Sequence, residues 1–408
     1  MSERMPRVTA RSGRIARACA LGVLLWAAPA AAQNGGQAGE GESSRLPGWS
    51  FTPSIAFGAI YDSNVALSSP RADLRQTQGD TLFAIVPGAQ LEFNGRRSAL
   101  AADYRGFIRR YREVEGLDGF NQHASLNARR MMTRRLTLYA RDSYTDSPTT
   151  DEVELNGVPF RRTGSSTNTI AAGGEYRISR LTTFATRYDN TWVAFDRPDI
   201  FLTGGWIHAL RSELTTRFSE RVSAGGEYSY RRASLDKRRR EFDFQDAGGV
   251  VHFRLGPNTS ANGAAGFAML HDRNLDVTRS GPYLRLGVTH ELASVTAGAS
   301  FERRYVPSFG FGGASNNQEL RGYMQMPLQQ RFYTRASVAW RRSTPFEVEA
   351  LEVDTLWLRS TFGYTASRWL RVEALYTFTR QDSIVDGGEV DRHRGGVQFV
   401  ISQPMRIQ

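Results

Sequence analysis

The sequence predicts an all-β chain: a transmembrane antiparallel up-and-down β-barrel of about eighteen strands, with short periplasmic turns and longer outer loops. Three observations lead there. Segments of roughly ten residues alternate apolar and polar side chains, the spacing of strands that cross a bilayer at a tilt. Short turn clusters recur about 36 to 46 residues apart along the chain. And although the N-terminus reads as a secretory leader, no later apolar run approaches the ~18 residues that a transmembrane helix needs, while mean hydropathy is −0.43.

Residues 1–32 have the form of a signal peptide. Arg4, Arg7, Arg11, Arg14 and Arg17 make a basic region, "ACALGVLLWAA" a short apolar one, and "APAAAQ" a cleavage site after Ala32. Cys19, the one cysteine, precedes the apolar run, where a lipoprotein cysteine would follow it. Cleavage leaves no thiol and no disulfide framework. Taking the leader's five Arg and one Glu from 52 cations and 41 acids leaves a formal charge of +7. The cations are arginines apart from Lys237, and they recur in nearly every segment. A nucleic-acid binder would gather them into a patch. Residues 33–48 read as a flexible segment, and 49–408 as the barrel.

The short turns are Asn94-Gly95, Thr133-Arg134-Arg135, Ser179-Arg180, Ser219-Glu220-Arg221, Gly256-Pro257-Asn258, Ala293-Ser294, Gln329-Gln330-Arg331 and Ser367-Arg368. Asn-Gly and Gly-Pro-Asn are sound hairpin signals; the others gain weight from their spacing. Longer polar connections lie between them: "YDSNVALSSPRADLRQTQGD", "YTDSPTTDEVELNGVPFRRTG", "FDRPDIFLTG", "SLDKRRREF", "HDRNLDVTRS", "YVPSFGFGGASNNQ", "RRSTPFEVEALEVD" and "RQDSIVDGGEVD". Eight inner turns imply nine hairpins, eighteen strands, and both termini in the periplasm. A propeller blade also runs to about forty residues, but it holds four short strands, and each repeat here holds two long ones.

"LRVEALYTFTR" shows which face is which. An arginine facing lipid near mid-membrane costs ~2–4 kcal/mol, so Arg371 and Glu373 point into the lumen and Leu370, Val372, Ala374, Tyr376 and Phe378 meet lipid. The same division turns Tyr104 and Ile108 outward, with Asp103, Arg105 and Arg109 inward; Phe184, Tyr188 and Trp192 outward, with Arg187 and Asp189 inward. It likewise places Glu227, Arg231, Arg285, Arg335, Arg341 and Arg359 inside. "FDFQDAGGVVHF" changes phase midway, which points to a bulge near Gly248-Gly249. Trp49, Tyr61, Tyr144, Trp192, Trp206 and Trp369 near strand ends suit aromatic girdles. "HRGGVQFVI" is the last strand and pairs with the first, "WSFTPSIAFGAIY", where Pro53 belongs near the beginning.

Chemistry of the enzymatic kind is not expected. The six histidines are scattered, with no H-E-x-x-H or ligand spacing, and no phosphate loop or G-x-S-x-G occurs. Neither metal nor cofactor is expected. Asp62 and Asn64 in "YDSNV" could join a calcium site, but an Asx-stabilised turn is the plainer role. The lumen carries the informative chemistry. Eighteen strands enclose water rather than a packed interior, lined by Arg105, Arg109, Arg141, Arg187, Arg231, Arg285, Arg335, Arg359, Arg371 and Arg394 beside Asp103, Asp189, Glu227 and Glu373. Arginine rings favour anions; charges of both signs also lock barrel walls by ion pairing.

The stretch "FTPSIAFGAIYDSNVAL" resembles the β-barrel porin 2 family of Gram-negative outer membranes in its aromatic-Asp-x-Asn-hydrophobic cluster, Tyr61 to Val65. "SRLTTFATRYD", "SERVSAGGEYSY" and "SRWLRVEALYTF" look like that family's periplasmic hairpins. The chain departs from the usual barrel ending by continuing past Phe399 and Ile401 as "SQPMRIQ". The resemblance implies an outer-membrane conduit for acidic exopolysaccharide or capsule. Its implied partners are outer-membrane lipid and lipopolysaccharide, the barrel-assembly machinery, periplasmic polysaccharide-export components, and polysaccharide or small anionic solutes in the lumen. A general diffusion porin with mild anion preference and a surface-display barrel are the other readings.

Overall fold

A computed structural model describes residues 48–407 apart from 69–77, 198–201, 237–238, 293, 311, 348–350 and 384–387. The expected leader and nearly all of the flexible segment after it lie outside the described residues. The chain forms β1 (Gly48–Asp62), β2 (Asp80–Asn94), β3 (Ser98–Tyr111), β4 (Gly119–Met131), β5 (Leu136–Ser147), β6 (Ser165–Arg177), β7 (Thr182–Phe195), β8 (Gly205–Arg217) and β9 (Val222–Leu235). It continues as β10 (Arg240–Arg254), β11 (Thr259–Asp272), β12 (Val277–Glu291), β13 (Thr296–Ser308), β14 (Gly313–Pro327), β15 (Phe332–Pro345), β16 (Val353–Thr365), β17 (Leu370–Ser383), β18 (Gly388–Ser402) and a short β19 (Met405–Ile407). Each of β1 to β17 pairs antiparallel with its successor, and β18 and β19 both pair with β1. The sheet is therefore a closed, eighteen-stranded, up-and-down barrel. Closure leaves no strand with a wholly free edge in the hydrocarbon, where an unpaired backbone group costs several kcal/mol.

The closing seam explains the unusual C-terminus. Ser54 faces Ser402, and beyond Gln403-Pro404 the same register resumes with Phe51 facing Met405 and Trp49 facing Ile407. β19 is thus the end of β18, interrupted where Pro404 lacks a donor. Pro53 sits directly across that break, and its carbonyl accepts from the Gln403 N–H at 3.3 Å. The tail after Ile401 is part of the wall.

All eight anticipated inner turns fall between strands. Four share one device. The hydroxyl of Thr133, Ser179, Ser219 or Ser367 accepts from the backbone N–H groups two and three residues on, at 3.0–3.4 Å. A hydroxyl that mimics a backbone carbonyl is what makes Ser/Thr a turn former. At the opposite end two expected long loops are tight: only 236–239 separate β9 from β10, and 273–276 separate β11 from β12. Arg239 (φ 47°) and Asp276 (φ 53°) close them in the left-handed region. The strands run on instead, to 12–15 residues. Their outer ends carry cross-strand ion pairs such as Arg232–Glu241 and Arg342–Asp354, at 2.6 and 2.8 Å.

The apolar face is outside. Leu138, Tyr188, Leu210, Phe267, Leu320 and Tyr376 are all exposed. Trp49 and Trp369 lie at the short-turn end, Tyr61 and Trp206 at the other, and all four are exposed, giving two girdles.

The bulge expected at Gly248-Gly249 is absent. β10 keeps one register with β9 from Arg240↔Leu235 to Phe253↔Val222, and with β11 throughout. Its inward residues are Phe242, Phe244, Asp246 and Val250, all buried. The apparent phase change arises because the outer half of the barrel's interior is apolar there. Phe242 and Phe244 pack with Val193, Leu202, Leu235, Leu270 and Phe309 in one cluster, each such side chain contributing ~1.5–3 kcal/mol by burial. That cluster also corrects the expectation of a lumen filled with water along its whole length.

Candidate functional site

The interior is dominated by a connection that the sequence placed outside. Residues 148–164, between β5 and β6, fold into the barrel, and Asp151, Thr149, Thr150, Val158 and Phe160 are buried. Three carboxylates within four residues explain its path, because each meets arginines on other strands of the wall. Asp151 accepts from Arg392 Nη1 at 2.8 and 2.9 Å. Arg392, 1% exposed, also binds Asp62 at the end of β1. Glu152 takes a two-pronged contact from Arg109, 2.9 Å on each arm, and pairs with Arg394. Glu154 binds Arg321 at 2.5 Å and Arg359 at 2.6 Å, while Arg341 donates to the Glu154 and Leu155 carbonyls, both at 2.9 Å. Planar guanidinium forks matched to carboxylates are the strong form of this bond.

The backbone of the loop is tied down as closely as its charges. Gln381 accepts from the Phe160 N–H at 2.7 Å and donates to the Val158 carbonyl at 3.0 Å. The Trp357 indole donates to the Asp151 carbonyl at 2.9 Å. Phe160 stacks near Trp357 beside Leu67 and Val390. Gly157 (φ 61°) comes so near Gly310 that a Cβ on the latter would collide with the Gly157 carbonyl. Only two glycines allow that approach.

Asp62 and Asn64 form the Asx turn: the Asn64 N–H donates to Asp62 Oδ1 at 3.1 Å, and Asn64 Nδ2 to the Ser68 and Asp391 carbonyls. Among the described residues no His/Cys/Asp/Glu group could hold a metal. Asp62 instead anchors Arg392.

The electrostatics follow from burial and charge together. Burial raises the Glu154 carboxyl, but Arg321, Arg359 and Arg341 outweigh it and hold the group at about 2 instead of the ordinary 4.5. Glu152 is likewise raised by burial and drawn well below its usual range by Arg109 and Arg394; Asp151 is lowered in the same way by Arg392 and Arg394. A carboxyl that ionises more readily when seated favours the seated loop above its free value, and that contribution disappears as pH falls toward the seated value. For Glu154 this is on the order of 3 kcal/mol at neutral pH. The conductance of reconstituted protein is therefore expected to stay level from pH 7 to 5 and to rise between about 4 and 2. A rise already complete at pH 5 would contradict the assignment.

The structure disperses the sequence-predicted residues. Arg109, Arg359 and Arg394 are taken up by the loop. Arg105 bonds Asp103 at 3.1 Å and Arg187 bonds Asp189. Glu227 joins Arg285 and the Tyr283 hydroxyl. Arg231 binds Asp246 at 2.8 Å and lies over the Phe244 ring. Arg335 lies over Tyr333, whose hydroxyl donates to Glu373. Arg371 extends beside them with a buried Nε. Among the described residues Arg141 meets only the neutral Asn127 oxygen, at 2.6 Å.

Below the loop a cavity of about 510 Å³ opens in the inner half of the interior, lined by Glu92, Arg129, Tyr139, Arg141, Glu175 and Arg187. Arg129 lies directly across from Tyr139, Tyr139 from Gly173, Gly173 from Arg187, and Arg187 from Arg211. Three arginines and a tyrosine thus form one continuous row across five strands. Sequence reasoning missed Arg392, Arg321, Arg129 and Arg211. Period-two alternation from Arg394 and Arg187 would have found Arg392 and, through pairing, Arg211.

No family model and no curated protein matches the chain. Solved structures do. OpdO of Pseudomonas aeruginosa is 10% identical over 88% of this chain and 98% of its own, with a TM-score of 0.43. The outer membrane protein opdK of the same organism is 9% identical over 87% and 99%, TM-score 0.43. OccAB4 of Acinetobacter baumannii is 8% identical over 89% and 100%, TM-score 0.41.

Proposed function

We infer that this protein is an outer-membrane channel through which small solutes diffuse, with a mild preference for anions and a bore narrowed by the inward loop. The observation that carries this is the set of arginines lining the inner cavity, Arg129, Arg141 and Arg187. Arg141 is met there by a neutral partner, so positive charge remains available in a low-dielectric wall, where it concentrates anions. Lipid meets the apolar outer face, lipopolysaccharide the charged belt above it, and the barrel-assembly machinery inserts the closed sheet. The reading as an exopolysaccharide conduit gains no support from the geometry. A polymer would need the outer half clear, and the loop with its apolar cluster narrows that half.

Replacing Arg141 and Arg187 together by Glu reverses two charges on the cavity wall. Reversal potentials across planar bilayers in a salt gradient are expected to move toward cation selectivity. Because neither residue touches the loop, single-channel conductance should change less than about twofold. An unmoved reversal potential would remove these cavity arginines from the conduction path.

A further inference from the structure

The wall is not zipped evenly. β12 pairs with β13 only from Leu284↔Arg303 to Glu291↔Thr296. Above that level Val277–Tyr283 pair with β11 alone and Arg304–Ser308 with β14 alone. β13 leans inward here, burying Tyr305, Val306 and Ser308. The seam begins at bilayer height, because Pro282 lies across β11 from Phe267, a lipid-facing ring 79% exposed. An open ladder at that depth is costly unless something covers it.

What covers it is one side chain. Tyr305 should point outward by alternation, yet it is buried; its hydroxyl fills the space a Cβ on Gly281 would need. Its ring meets Phe346 edge-on at 4.9 Å, and the same ring belongs to the interior apolar cluster with Phe242, Phe244 and Phe309. Tyr305 is therefore the side chain between the wall at Gly281, next to the Pro282 that pairs with Phe267, and the apolar interior. Two arginines flank the gap. Arg303 lies on the lipid face at the foot of the seam, with its Nε buried and without an acceptor. Arg279, exposed on β12, shares the inward parity of Tyr283 and Arg285 and lies over the Phe346 ring at 5.2 Å. Neither forms an ion pair among the described residues, whereas Arg304, on the inner side, is paired with Glu302 at 3.2 Å. An arginine turned toward lipid is tolerated when an anion meets it.

We propose that the open β12–β13 seam is a lateral portal for an anionic single-chain amphiphile of the outer leaflet, a long-chain carboxylate in chemical class. Arg303 meets its head on the lipid face, Arg279 receives it on the inner side, and its chain displaces Tyr305 to reach the cluster at Phe244 and Phe309. The test needs no conductance. Full-length protein in phosphatidylcholine vesicles is loaded with a trace of palmitate carrying a terminal diazirine, irradiated, and mapped by mass spectrometry. Adducts are expected on 267–283 and 301–309 in excess over the lipid face of β16 and β17 by on the order of fivefold, as one charge pair allows. The matching diazirine alcohol should show no such excess. Arg279→Gln with Arg303→Gln, two positions outside the core, should abolish the excess while leaving the barrel folded. Uniform labelling around the wall, or equal enrichment by the alcohol, overturns the proposal.

Discussion

Replacing Arg392 by Gln is expected to unseat the β5–β6 loop and lower the stability of the folded barrel by about 3–5 kcal/mol, the usual penalty for breaking a buried ion network from one side. Among the described residues Arg392 is the sole cation touching both Asp62 and Asp151, neither of which has any exposed surface. Glutamine can supply one hydrogen bond and no charge. Two buried carboxylates are then left facing each other, and the cheapest relief is for the loop to carry Asp151 back to water. Arg394, 3.6 Å from Asp151, is already engaged by Glu152 and cannot serve both. Three readouts should move together: the temperature at which the folded form is lost on heating in detergent falls, single-channel current rises, and trypsin cuts after Arg161 or Arg162. Arg392→Lys keeps the charge but loses the fork that reaches both acids, so it should lie between the two. A variant with normal current and an intact loop would show that Arg392 merely decorates the wall.

The same residue marks the limit of what the sequence disclosed. The turns were legible because their cause is local: a Ser or Thr hydroxyl caps N–H groups two and three residues away. The lipid face was legible because one apolar residue in two suffices to declare it. Arg392 escaped although Arg394, two residues on and on the same face, did not, because the last strand is expected to begin only at His393 and in fact begins at Gly388. The inward loop escaped for a different reason. "TTDEVELNG" reads as an ordinary acidic surface loop, and its partners Arg321, Arg341, Arg359, Gln381 and Arg392 lie from 160 to over 240 residues further along.

β10 shows how the two levels interact. Alternation was read there with the rule that polar residues face in, and Phe242 and Phe244 broke the rule, so a bulge was inferred. The strand itself is regular; what changes is the medium on its inner side, from water near His252 to packed side chains near Phe244. Binary patterning reports the environment of a face, and a plugged barrel has two environments on one face. Nothing in β10 alone could reveal this, since Leu202, Val158 and Phe309, which dry the upper interior, arrive from three other connections.

Excising residues 150–160 and rejoining the strands through a short glycine-serine turn should have the largest effect on transport. The wall's ladder is independent of this loop at every seam, so closure survives. The occluding mass leaves with Asp151, Glu152 and Glu154, and no cation goes with it. Two changes follow from one deletion. Current through a single channel should rise about two- to fourfold as the outer half of the bore clears. Selectivity should move toward anions, because Arg109, Arg359 and Arg394 lose the carboxylates that now neutralise them. Size and charge are separable: the triple change Asp151→Asn, Glu152→Gln, Glu154→Gln removes charge while retaining mass, so a released but intact loop should give the selectivity shift with an intermittent rather than steady current. If the excised protein conducts no better than the parent, some other connection sets the constriction, and the inward loop is a brace for the wall rather than the element that limits flow.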